Sequence, residues 1–116
     1  MQVASLPCRF QAELVRNIPD VQGVFMLWDD DECVYVGHTP WNRSLQEALR
    51  QHLELRDEGV IEASHFSWET SATPKSREYE LLSLHLERRG RLPRYNRGNS
   101  PLRPPKACIT DLRART

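Results

Sequence analysis

Hydrophobic side chains fall in two short runs that are separated by an acidic turn. Residues 22–28 carry five successive apolar or aromatic side chains, from Val24 to Trp28, and residues 33–37 read CVYVG. The polar sequence DDDE lies between the two runs. Apolar runs joined by a short polar turn are typical of an antiparallel β-hairpin. We therefore predict a strand over 22–28 that pairs with a strand over 33–37.

Apolar residues three and four positions apart predict two helices further along the chain. The first spans 45–55, and its apolar face is formed by Leu45, Ala48, Leu49, His52 and Leu53. Asn42 or Ser44 is the candidate N-cap of this helix. The second helix spans 76–89 and follows Pro74. Both are long enough to cover one face of a small sheet.

Two further segments complete the predicted fold. Residues 9–17 carry apolar side chains at helical spacing and predict a short helix. Residues 64–71 alternate polar residues with Phe66 and Trp68, which is typical of a third strand. Because three antiparallel strands cannot bury a face alone, the helices must cover the sheet. The expected fold class is α/β in the α+β sense, a small three-stranded antiparallel sheet flanked by helices.

Length and composition fit one domain followed by a tail. The 116 residues suit a single compact unit, which we place at 1–96 with its core at 21–96. Residues 97–116 are rich in Pro and Arg and predict a basic tail without regular structure. No apolar run approaches the roughly 20 residues of a membrane span, and no signal peptide is evident, so we expect no membrane contact and a cytoplasmic location. The three cysteines form no C-x-x-C pair, so neither zinc nor a disulfide framework is expected.

Charge is unevenly distributed, although the formal net charge is zero. Residues 77–116 contain ten Lys and Arg against four Asp and Glu, whereas residues 1–76 contain six against twelve. A basic region of this kind is compatible with a phosphate-backbone partner such as DNA. The arginines expected to contact nucleic acid are Arg43, Arg88, Arg89, Arg91, Arg94 and Arg97. A basic tail that is only solvated would have the same composition.

Five short motifs in a fixed order resemble those of a known family. In chain order they read GVF, YVG, LQEALRQHL, EYELL and PRYN. Each motif is short, but their order on the expected strands and helices over 21–96 resembles the GIY-YIG nuclease superfamily. The resemblance implies a GIY-YIG nuclease-like fold and metal-dependent hydrolysis of a DNA phosphodiester.

The resemblance also implies a metal site and a set of catalytic residues. In the family, a glutamate on the second long helix holds Mg²⁺ or Mn²⁺, which polarises the phosphate. Motif tyrosines and a nearby Lys or His position the attacking water, an arginine stabilises charge, and a closing asparagine braces the site. The matching catalytic positions in this chain are Phe25, Tyr35, Gly37, His38, His52 and Asn96. The metal carboxylate is Glu78 or Glu80, and Glu78 fits the motif E-x-x-L-L better.

Three positions depart from the family pattern. Phe25 replaces the first tyrosine, His38 replaces the lysine, and Ala48 stands where the arginine is expected. Arg43 is the best-placed substitute for that arginine. Because losing a charged transition-state contact costs on the order of 10²–10³ in rate, a second hypothesis follows. It is a catalytically degenerate module that binds nucleic acid or a protein partner. A small interaction protein without a nucleic-acid role is the third hypothesis.

Overall fold

A computed structural model of the chain describes residues 5–98 and 100–102. Its elements are β1 (Cys8–Arg9), α1 (Ala12–Val15), β2 (Gly23–Asp29), β3 (Glu32–His38), α2 (Leu45–Asp57), β4 (His65–Thr70), α3 (Pro74–Arg89) and a 3₁₀ turn (Arg94–Asn96). The hairpin, both long helices and the strand after α2 are confirmed, with bounds within two residues of those predicted. Among the described residues, no helix is long and apolar enough to cross a membrane. The tail predicted for 97–116 lies mostly outside these residues.

The sheet has four antiparallel strands in the described part of the chain, so the prediction of three was wrong. Their order is β1-β4-β2-β3. The missed strand, β1, is two residues long and pairs Cys8 with Phe66. The helix predicted over 9–17 is correspondingly shorter and begins only at Ala12. A two-residue strand offers no alternation to detect, and its partner lies far away along the chain.

The register assigns the side chains of β2 and β3 to two faces of the sheet. Met26 pairs with Val36, and both pack in a core cluster with residues of α3. Leu27 pairs with Tyr35, and both pack in a larger cluster with residues of α1 and α2. Directly paired residues share a face, and successive residues alternate between faces. Therefore α3 covers one face, and α1 and α2 cover the other.

Local signals define the ends of both long helices. Ser44, rather than Asn42, caps α2, and its hydroxyl accepts the Glu47 backbone N–H at 3.3 Å in a capping box. Pro74 is the first residue of α3, where its missing N–H has no helical partner to lose. Gly90 ends α3 with a φ of 76°, the left-handed conformation that favours glycine. These ends fix where α2 and α3 start relative to the sheet.

Candidate functional site

A row of paired residues crosses the sheet at the end where β3 and β4 finish and β2 begins. Val24 pairs with His38 on one side and with Glu69 on the other. Since directly paired residues share a face, His38 and Glu69 both project toward α3. They meet Glu78 and Arg77, respectively, near the start of α3. We call the four side chains of His38, Glu69, Arg77 and Glu78 the polar corner.

His38 and Glu78 form the centre of the polar corner. His38 Nδ1 lies 3.2 Å from Glu78 Oε2, and Glu78 is buried. The distance is that of an ion pair, yet Nδ1 is itself buried and makes no hydrogen bond of acceptable geometry with any described residue. Neighbouring ligands about 2.1 Å from an octahedral cation lie about 3.0 Å apart. A separation of 3.2 Å is therefore close to that of two neighbouring ligands of one divalent cation, and also to that of a direct contact between an imidazole and a carboxylate.

The set of protein ligands at this place is small. Within residues 5–98 and 100–102, no group of three or more His, Cys, Asp and Glu side chains is arranged to hold a metal ion. Hard divalent cations are often held by one or two protein groups, with water completing the coordination. The donors present at His38 and Glu78 fit that kind of site.

Arg77 was not predicted to be a site residue. Its guanidinium donates to both carboxylate oxygens of Glu69, at 2.6 and 3.3 Å, and to Glu80 at 3.3 Å. The hydrogen bond to Glu69 raises the pKa of Arg77 above its ordinary value. Of the two predicted metal carboxylates, Glu80 is exposed beside Arg77, and Glu78 lies against His38. The only signal available in sequence was a glutamate at an inward-facing position of β4.

Three other predicted residues form an aromatic cluster where α2 packs on the sheet. They are Phe25 on β2, Tyr35 on β3 and His52 on α2 itself. Their ring centroids lie between 5.0 and 5.9 Å apart, and Tyr35 stacks on His52. His52 Nδ1 lies 2.8 Å from the carbonyl oxygen of Ala48, one turn earlier in α2. Ala48 is only 5% exposed, so an arginine at this position would have to enter the core.

The structure divides four of the predicted catalytic residues between two groups: Phe25, Tyr35 and His52 in the aromatic cluster, and His38 in the polar corner. Tyr35 and His38 are three positions apart on β3, so their side chains leave opposite faces of the sheet. Tyr35 belongs to the aromatic cluster, and His38 belongs to the polar corner. Arg43 is exposed in the loop after β3 and forms no ion pair with any described residue. The two groups are thus connected through the end of β3.

Asn96 joins the end of the described chain to the edge of the sheet. Its side-chain Oδ1 accepts the Val36 N–H at 2.8 Å, and its Nδ2 donates to the Val36 carbonyl at 2.9 Å. Val36 lies on the edge strand β3, so the Asn96 amide pairs with backbone groups that a further strand would otherwise bind. Both hydrogen-bonding groups of this side chain are therefore used within the fold.

The predicted nucleic-acid-binding arginines of the C-terminal third lie away from the polar corner. The exposed ones near the end of α3 are Arg88, Arg89 and Arg91. Arg94 lies within 3.7 Å of acidic side chains at the hairpin turn, and Arg97 donates its Nε to a backbone carbonyl at 3.1 Å. Because a helix rises 1.5 Å per residue, Arg89 lies about 16 Å along α3 from Glu78.

Comparison with known proteins gives one family match. A family model described as "Domain of unknown function (DUF7508)" matches residues 2–88, three quarters of the chain. The chain belongs to the DUF7508 family. The matched region contains the polar corner and the aromatic cluster, and it ends before Asn96. No curated protein and no solved structure shows a significant match to this DUF7508 chain.

Gly37 is required by the packing of the aromatic cluster in this DUF7508 domain. A Cβ at this position would lie 2.7 Å from Phe25 Cζ and 2.8 Å from Tyr35 Cε2. Because both rings are held in the core, we expect Gly37→Ala to lower the free energy of unfolding by about 1–3 kcal/mol. Urea denaturation followed by circular dichroism measures the change. A variant as stable as the parent would show that the rings move aside without cost.

His52 makes the stability of the DUF7508 domain depend on pH. Burial lowers the pKa of His52 below its ordinary value of 6.5, and the hydrogen bond to Ala48 opposes this only in part. The unfolded chain then binds a proton that the folded domain does not, so this contribution to stability is complete above about pH 6.5 and declines as the pH falls. We expect His52→Phe to show a smaller loss of unfolding free energy between neutral and mildly acidic pH. Equal losses in variant and parent would contradict this role.

Proposed function

We propose that this DUF7508 domain hydrolyses a phosphodiester bond of DNA with one divalent cation, as its resemblance to GIY-YIG nucleases implies. The observation that carries the proposal is the contact of 3.2 Å between His38 Nδ1 and the buried carboxylate of Glu78. The pair lies at the end of the hairpin that bears the GVF and YVG motifs.

In this proposal, Glu78 holds the cation through its carboxylate, and His38 Nδ1 is the neighbouring ligand. When bound, the cation polarises the phosphate and neutralises the developing charge. An imidazole nitrogen suits Mn²⁺ better than Mg²⁺, so Mn²⁺ is the expected activator. The His38 side chain is 28% exposed although its Nδ1 is buried, so the opposite edge of the ring faces solvent. From there it can donate a hydrogen bond to a phosphate oxygen.

The arginines near the end of α3 supply contacts to the DNA backbone. They lie about 16 Å along the helix from Glu78, which corresponds to about five base pairs at 3.4 Å per step. A duplex that follows α3 would therefore touch both the polar corner and Arg88, Arg89 and Arg91. Such contacts make binding sensitive to salt but carry no sequence preference.

A DNA-binding module that does not cleave is the second candidate. The buried position of Ala48 favours it, because α2 offers no arginine at the place where the family resemblance implies one. The positive charge of Arg77 does not replace that of the missing arginine, because both carboxylate oxygens of Glu69 accept hydrogen bonds from its guanidinium. Under this hypothesis, the domain binds DNA through its basic surface but does not hydrolyse it.

Nicking of supercoiled plasmid in Mn²⁺, in Mg²⁺ and in excess chelator tests the proposal. Hydrolysis predicts nicked product with Mn²⁺, less with Mg²⁺ and none with chelator. Filter binding of a labelled duplex at two salt concentrations, in the presence of chelator, is measured in parallel. Salt-sensitive binding without any nicking would select the second candidate. If the protein neither nicks plasmid nor binds DNA, both candidates are excluded and a protein-interaction role is favoured.

A further inference from the structure

The loop between β3 and α2 presents Trp41 to solvent. Trp41 is 87% exposed, more than any other large hydrophobic side chain among the described residues. Large aromatic side chains bury 150–250 Å² when they find a partner, so an exposed one leaves much binding area unused. The structure places this ring outside the core.

The backbone around Trp41 is firmly held. Thr39 donates its N–H to the Gly23 carbonyl at 2.9 Å, and its hydroxyl accepts the Gly23 N–H at 3.0 Å. The Pro40 carbonyl accepts from the Gln22 side chain at 3.0 Å and from the Arg43 N–H at 3.1 Å. The second of these bonds closes a β-turn with Trp41 at its first corner. A ring on a fixed turn loses little conformational freedom on binding.

An exposed arginine follows Trp41 in the same loop. Arg43, two residues after Trp41, is exposed and forms no ion pair within the part of the chain that the structure describes. His38 precedes Trp41 by three residues, so their Cα atoms are at most about 11 Å apart. An exposed aromatic ring and an exposed guanidinium two residues apart match the two parts of one nucleotide, its base and its phosphate.

We infer that Trp41 stacks on an unpaired base next to the scissile bond while Arg43 contacts the adjacent phosphate. The inference rests on the proposed action on DNA and narrows its substrate class. A base inside a duplex is covered on both faces by its neighbours, so it offers no face to the indole ring. The preferred DNA therefore carries a single-stranded nucleotide at the polar corner, as in a single strand or at a junction with a duplex.

Tryptophan fluorescence titration in excess chelator tests this inference without any need for cleavage. The probes are a single-stranded oligothymidylate and a blunt duplex of equal length. We expect the single strand to quench the parent's fluorescence. Filter binding of the labelled probes measures affinity in variants that lack this fluorophore. By that measure, Trp41→Ala should bind the single strand about ten-fold more weakly, while its duplex binding stays unchanged. Trp41→Phe should keep most of the affinity, and Arg43→Ala should reduce the salt dependence of binding.

Leu6→Ala is the matched control, because Leu6 is 84% exposed and lies near β1 rather than in this loop. It should bind both probes as the parent does. Parent-like binding of the single strand by Trp41→Ala would overturn the inference, and so would a parent that binds no DNA. Trp41-dependent binding without plasmid nicking would retain the stacking role and reject hydrolysis. If Trp41→Ala nicks plasmid and binds the single strand as the parent does, the stacking role is rejected and hydrolysis is retained.

Discussion

Replacing Asn96 with alanine is expected to lower the free energy of unfolding by about 3 kcal/mol or more. Asn96 is fully buried, and its amide satisfies both the N–H and the carbonyl of Val36. The substitution removes two hydrogen bonds, leaves two backbone groups unpaired inside the protein and opens a cavity. Each unpaired group alone costs about 1–3 kcal/mol. Urea denaturation followed by circular dichroism measures the change.

Asn17→Ala is the matched control for this experiment. Asn17 is exposed, and its amide makes one local hydrogen bond, to the Glu13 carbonyl at 3.1 Å. Its replacement should cost less than about 1 kcal/mol, as is usual for surface positions. If Asn96→Ala were no more destabilising than Asn17→Ala, the amide bridge would contribute little to the fold. A large loss confined to Asn96 would show that this side chain holds the 3₁₀ turn against β3.

Replacing Glu78 with glutamine is expected to lower the nicking rate by on the order of 10²-fold or more. Glutamine keeps the shape and hydrogen-bonding reach of the side chain but removes its charge. A neutral amide binds a hard divalent cation far more weakly than a carboxylate does. The buried contact with His38 would then remain as a polar contact without a metal site. Calorimetric titration with Mn²⁺ measures the lost affinity directly.

Glu80→Gln provides the control on the same helix. Glu80 lies two residues further along α3, is exposed and pairs with Arg77 rather than with His38. We expect its variant to bind Mn²⁺ and nick plasmid at rates close to those of the parent. Equal loss in both variants would point to the overall charge of α3 rather than to a site at Glu78. Thermal melts of both variants separate loss of function from loss of fold.

Most of the fold could be predicted because its signals are local. The hairpin follows from two apolar runs around DDDE, and α2 and α3 follow from helical periodicity with Ser44 and Pro74 at their starts. β1 could not be found this way, because its two residues gain their structure only by pairing with β4. The helix predicted over 9–17 begins only at Ala12, because the chain before it pairs with β4.

The site was harder to predict, because its contacts join distant segments. The motif order indicated His38 and Glu78 separately, and only the packing of α3 on the sheet brings His38 of β3 against Glu78 of α3. The pairing of Arg77 with Glu69 joins a helix to a strand, and its only sequence signal is the inward-facing position of Glu69 on β4. The burial of Ala48, in contrast, follows directly from its place on the apolar face of α2.

We propose that the His38–Glu78 pair is the centre of a DNA-cleaving site. The most direct measurement is the initial rate of plasmid nicking by the parent and by Glu78→Gln, at saturating Mn²⁺ and with chelator as the blank. We predict clear Mn²⁺-dependent nicking by the parent and a rate for Glu78→Gln that approaches the blank. Equal rates for parent and variant, above the blank, would show that Glu78 is not part of the cleaving site.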